Sequence, residues 1–116
     1  MPDFLEAETE ELALEKLHEM GCTDGLPVVI PTHERVERLI LATGLDGDMV
    51  LGEMGPGMGV ATIEKVCVAA VMAGCLPDYM PIVIAAVKAA VQPEFDLREL
   101  QATTHCTAPL LSLIHI

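Results

Sequence analysis

The stretch IEKVCVAAVMAGCLPDYMPIVIAAVKAAV, Ile63 to Val91, decides how this chain folds. Ile63, Val66, Cys67, Ala70, Val71 and Gly74 recur at helical spacing, while Val68, Ala69 and Met72 make the opposite face apolar as well. A helix that is apolar all round is one that expects burial on every side. A second such helix is predicted from Ile82 to Val91, with Asp78 as N-cap, Pro81 tolerated in the first turn and Lys88 as its only charge. The two are read as an Ala-rich, buried αα-hairpin joined at Gly74-Cys75-Leu76-Pro77.

Outward from the hairpin the chain becomes acidic. Its 116 residues carry 18 acids against 6 bases, a net charge of −12, yet residues 55–93 hold only Glu64, Asp78, Lys65 and Lys88 and are neutral. Apolar residues make up 52% and aromatics 3%, so the core is expected to be aliphatic, with seven Met. That apolar content excludes a disordered chain. The acidic surface argues against nucleic acid, whose phosphates it repels. A membrane span is not expected, because the uncharged run Val66–Pro77 falls short of the roughly 20 apolar residues a span needs. Four cysteines at irregular spacing make no disulfide framework, and the acidic N-terminus is unlike a secretory signal, so a reducing cytoplasm is the expected compartment.

Towards the N-terminus, Ala13, Leu14, Leu17 and Met20 mark an acidic amphipathic helix closed by Gly21. Leu26-Pro27-Val28-Val29-Ile30 reads as a short buried strand or extended segment. Thr32 caps a helix through Val36, Leu39, Ile40 and Thr43 that ends at Gly44. Residues 45–54 read as a loop with one short strand, and Gly55-Pro56-Gly57-Met58-Gly59 as irregular. Asp96-Leu97-Arg98-Glu99 has the pattern of a capping box, and a further strand is expected near Leu110. The fold class is therefore α/β or α+β, helix-rich, with one or two short strands.

Leu111-Ser112-Leu113-Ile114-His115-Ile116 resembles a translated transposon-end adapter, and is expected to be a scar rather than protein. On that reading residues 1–110 are the N-terminal part of a single truncated domain. Two all-apolar helices in so short and acidic a chain point the same way, since the narrow stripes of the first half cannot cover them.

Several residues carry candidate chemistry. Gly55, Gly57 and Gly59 precede Thr62 at the start of a helix, where free N–H groups can hold an anion, although the spacing fits neither a dinucleotide fingerprint nor a P-loop. Gly57, Gly59 and Thr62 are the anion-binding candidates, and a plain tight turn is the alternative. Cys75 lies between two helix ends and is either a reactive thiol or a small packing residue. Cys67 reads as packing. His105 cannot serve the adjacent Cys106 on an extended segment, but can serve a residue elsewhere such as Cys75. Asp24 in Thr23-Asp24-Gly25 is an Asx-turn residue or an acid/base group, and Glu64 is a helix-dipole charge or a second one. No C-x-x-C or H-x-x-x-H pair suggests zinc, and no cofactor is indicated.

Taken together, Thr23-Asp24-Gly25-Leu26-Pro27-Val28-Val29, Ala61-Thr62-Ile63-Glu64-Lys65, Val71-Met72-Ala73-Gly74-Cys75 and Asp78-Tyr79-Met80-Pro81 resemble the N-terminal third of a bacterial family of roughly 300–400 residues. Its members occur beside small Sec/Cys proteins with a "UGSC" motif and are sometimes labelled thiol-redox proteins. Asp24, Gly25, Thr62, Glu64, Gly74, Cys75 and Thr103-Thr104 match its pattern, whereas Cys22 replaces an aromatic and Ala69 an Asn. The resemblance implies a small Sec/Cys protein partner and a redox link. Two functions are expected from all this. One is part of a cytoplasmic small-molecule enzyme that uses Cys75 with Asp24, Glu64 and His105. The other is a non-catalytic interaction or assembly subunit, with a second copy or another protein docked on residues 63–91.

Overall fold

The computed structural model describes residues 4–55, 57–106 and 109–112. Among them the chain is a helix-rich α+β fold: five α-helices and one antiparallel β-hairpin. In chain order these are α1 (Glu10–Glu19), α2 (His33–Thr43), β1 (Val50–Met54), β2 (Gly59–Thr62), α3 (Ile63–Met72), α4 (Met80–Ala90) and α5 (Leu97–Ala102). Single 3₁₀ turns, Pro77–Tyr79 and Pro93–Phe95, precede α4 and α5.

Local chemistry explains most of the boundaries. The Thr9, Thr32 and Thr62 hydroxyls each accept the backbone N–H three residues on, capping α1, α2 and α3. Gly44 ends α2 in the left-handed conformation. At the end of α3, Gly74 N–H donates to the Val71 carbonyl and Cys75 N–H to the Ala70 carbonyl, the paired bonds of a Schellman motif. The same two bonds recur after α1, from Gly21 to His18 and from Cys22 to Leu17.

The core is a three-helix affair. Val36 and Leu39 of α2, Ile63, Cys67, Ala70 and Val71 of α3, and Met80, Val83 and Ile84 of α4 form one buried cluster. Ile63, Met80 and Cys67 are its fully sealed members. In the β-hairpin Val50 faces Thr62, Gly52 faces Ala61 and Met54 faces Gly59, with an irregularity at Leu51. The β1 strand lies against α4.

Several details depart from the sequence reading. Gly59 is the first residue of β2 and not part of an irregular run, because the turn that the glycines make is the hairpin turn. Residues 26–30 form neither a strand nor a buried segment: β1 and β2 take each other as partners, and Leu26 and Val29 are exposed. Val29 N–H finds the Met72 carbonyl at 3.1 Å instead. Asp78 falls in a 3₁₀ turn, and α4 starts at Met80 with no side-chain cap. Asp96 adopts φ 50°, so its side chain makes no capping bond to α5 and the capping box does not form. The described residues near Leu110, 109–112, hold no strand. Of the suspected adapter segment, 113–116 lie outside the described residues.

The hairpin is not buried on all sides. On α4 one face supplies Met80, Val83 and Ile84 to the core, while Pro81, Ile82, Ala85 and Ala89 are exposed. Along α3, Lys65, Ala69 and Ala73 form the corresponding outward stripe.

Candidate functional site

A cleft of about 670 Å³ lies between α1 and the α2–α3 pair. One wall is the apolar stripe of α1, with Ala13, Leu17 and Met20; the other is Val36, Val68 and Met72 from α2 and α3. Phe4 and Leu5 of the N-terminal arm reach into it as well. Its position follows from how α1 is held. No α1 residue is buried, and the described tie from the helix to the core is an ion pair from Glu10 to Arg35 at 3.1 Å. Arg35 is itself anchored, donating to the Ile30 carbonyl at 2.8 Å. An amphipathic helix normally closes its stripe onto a core. Here the stripe, with Ala13 and Leu17 half-buried, faces the cleft.

The polar groups around the cleft are few. The Thr9 and Thr32 hydroxyl oxygens accept helix-capping N–H groups and keep only an O–H donor each, and His33 pairs with Glu37 at 3.1 Å. Glu8, Glu64 and Cys22 complete the set. Glu64, in the first turn of α3, is half-buried. Among the described residues its carboxylate has no hydrogen-bond or ion-pair partner. The same carboxylate is felt inside the core: burial first, and Glu64 second, push the Cys67 thiol up from 9.0 to about 11.

The structure distributes the candidate residues expected from sequence. Glu64 lines the main cleft. Cys75 is half-buried against the core cluster at the end of α3, and no side chain among the described residues hydrogen-bonds to it. His105 is exposed on a separate shallow hollow beside α5, with Phe95, Asp96 and Leu100. Asp24 is exposed and accepts the Leu26 N–H at 3.0 Å, which is the Asx-turn arrangement. No hydrogen bond or ion pair joins Cys75, His105, Asp24 and Glu64 to one another among the described residues, so no Cys–His pair is assembled.

The anion site fares no better in its geometry. Gly57 and Gly59 sit across the length of β2 from α3, so they do not reach its N-terminus. The donors there are already engaged: Ile63 N–H with the Met49 carbonyl, Glu64 N–H with the Gly47 carbonyl and Lys65 N–H with the Thr62 hydroxyl. An anion would find no free N–H in that first turn, and the adjacent Glu64 would repel it. The described residues contain no cluster of three or more His, Cys, Asp or Glu that could hold a metal ion, and no helix long and apolar enough to cross a membrane.

Sequence reading missed the cleft and, with it, Cys22 and His33. The periodic stripe Ala13–Leu17–Met20 was the available signal, but it reads as core contact when nothing tells how far α1 stands from the core. No protein-family model, no curated protein and no solved structure matches this chain.

Proposed function

We propose that this chain is a non-catalytic interaction or assembly module that docks a partner through the helical hairpin of residues 63–91. The observation that carries the reading is the outer face of α4. Pro81, Ile82, Ala85 and Ala89 stand exposed on one stripe, Ile82 at 43%, and Lys88 is the one charge on that helix. Leu76, at the junction of the hairpin, is 56% exposed. An exposed apolar helix stripe is the kind of surface an interface uses, and the neutrality of residues 55–93 lets a second copy or another protein approach without the repulsion that the acidic remainder imposes. The four free cysteines fit work in a reducing cytoplasm.

The test is site-specific photo-crosslinking from Ala85 in the cell, paired with Ile82→Glu. One discrete product of defined mass, lost in Ile82→Glu, is the expected result. A chain that stays monomeric and uncrosslinked sinks the reading.

The second reading is part of a small-molecule enzyme, thiol-dependent and redox-linked, with Cys75 as the thiol; the acid/base groups expected for it, Asp24, Glu64 and His105, are not joined to it by any hydrogen bond among the described residues. Its support is that Cys75 is only half-buried, unlike Cys67, together with the resemblance to the UGSC-associated family and its small Sec/Cys partners. Rapid alkylation of Cys75 in the folded chain, faster than exposed Cys106, is the outcome that favours it.

A further inference from the structure

We infer that the cleft between α1 and the α2–α3 pair is a binding site for a cationic amphiphile, an alkyl chain bearing an ammonium group, with Glu64 as the counter-charge. This goes beyond the docking reading, since it concerns a different face of the molecule.

The size of the cleft, about 670 Å³, lies within the range of small-molecule sites. Its walls are apolar on both sides, which calls for a hydrocarbon body. The polar groups decide the head. Glu8, Glu10 and Glu64 line the cleft, and no Lys or Arg does. Glu10 is engaged by Arg35, a cation that lies outside the lining, and His33 by Glu37. Thr9 and Thr32 accept capping N–H groups, and the O–H donor each retains is uncharged. What is left is the half-buried Glu64 carboxylate, with exposed Glu8 beside the same space. An occupant without a donor would strip water from Glu64 and return nothing, which is costly for a charged group, and an alcohol would return only a neutral hydrogen bond. An anionic amphiphile would add repulsion. An ammonium group restores the lost solvation as a charge-assisted hydrogen bond. A second copy of the chain is disfavoured as occupant of this cleft because Glu8, Glu10 and Glu64 line it and the chain outside residues 55–93 is acidic.

The experiment is calorimetric titration of the full chain with decylammonium, decanol and decanoate, each below its micelle concentration and at physiological ionic strength. Decylammonium is expected to bind one saturable site more tightly than either partner. Glu64→Gln weakens it about tenfold and leaves decanol unchanged, while Glu64→Asp retains most of the preference. Glu94→Gln, an acidic residue outside the cleft, changes nothing. Occupancy also slows alkylation of Cys22, which lines the cleft, without slowing that of Cys106. The inference is overturned if decanol or decanoate binds as tightly as decylammonium. It is also overturned if decylammonium binds many equivalent sites indifferent to Glu64→Gln, or if it leaves Cys22 alkylation untouched. Circular dichroism shows whether the Gln variant is folded, and Cys22 protection in the unmodified chain decides the matter if it is not. Failure here leaves the α4 crosslinking result unaffected, because the two readouts sit on different faces.

Discussion

The thiols show how much one residue's surroundings settle. Cys67 has no solvent exposure, and its thiol is held up at about 11 by burial and by the Glu64 charge. It should therefore resist iodoacetamide at neutral pH while exposed Cys22 and Cys106 react, an order that mass spectrometry of the alkylated chain reads directly. The linkage has a sign. The unfolded thiol ionises near its ordinary 9.0 and the folded one near 11, so the folded state holds its proton longer. Cys67 contributes its full stability below about pH 9 and loses it as pH rises towards 11. Urea midpoints measured across that window should fall, and Cys67→Ala should flatten the fall. Cys75 tells a different story. Gly-Cys occurs twice, at Gly21-Cys22 and Gly74-Cys75, and each time closes a helix by the same two backbone bonds. A helix-stop role accounts for the position of Cys75 without any chemistry, and the dipeptide alone does not reveal this because the bonds belong to the backbone.

At the scale of the element, the helices were legible where both ends are marked by residue type. Thr32 and Gly44 bracket α2, and Val36 and Leu39 between them are buried as their spacing requires. The β-hairpin was not legible, because Gly55 and Gly59 look like loop residues until Gly55 is seen against Arg98. A Cβ at Gly55 would lie 2.7 Å from Arg98 Cβ and 2.8 Å from its Cα. Gly55→Ala must then push the hairpin turn off α5, and we expect a loss of about 1–3 kcal/mol in chemical denaturation. By contrast Gly57→Ala meets nothing within 4 Å and should be close to neutral. The α1 helix makes the opposite point. With no buried residue, its amides are expected to exchange with solvent far faster than those of α3. Arg35→Ala removes both the ion pair to Glu10 and the bond to the Ile30 carbonyl, and should speed exchange in α1 and residues 26–32 while leaving α3 protected.

For the molecule as a whole, the helix-rich composition and the Ala-rich hairpin were readable from periodicity, but the arrangement of site residues was not. Long-range packing decides that Glu64 faces a cleft, His105 a separate hollow and Asp24 the solvent. No local spacing encodes such distances. The core is small, with Ile63, Met80 and Cys67 as its fully sealed side chains. Ile63→Ala should cost about 2–5 kcal/mol, a large fraction of what a domain of this size has in hand, and equilibrium unfolding would show it as a collapse of the transition. An occupant on the outer face of α4 should raise the unfolding midpoint of the unmodified chain, with a dependence on partner concentration.

Two of those three sealed side chains carry sulfur, a thioether in Met80 and a thiol in Cys67. Peroxide turns a thioether into a polar sulfoxide, which the interior of this cluster cannot solvate. While the fold is closed, both atoms are shielded; each transient opening exposes them, and a sulfoxide formed then bars the way back. The durability of the protein under oxidative stress is accordingly governed by how often it breathes, more than by which of its surface cysteines is attacked first.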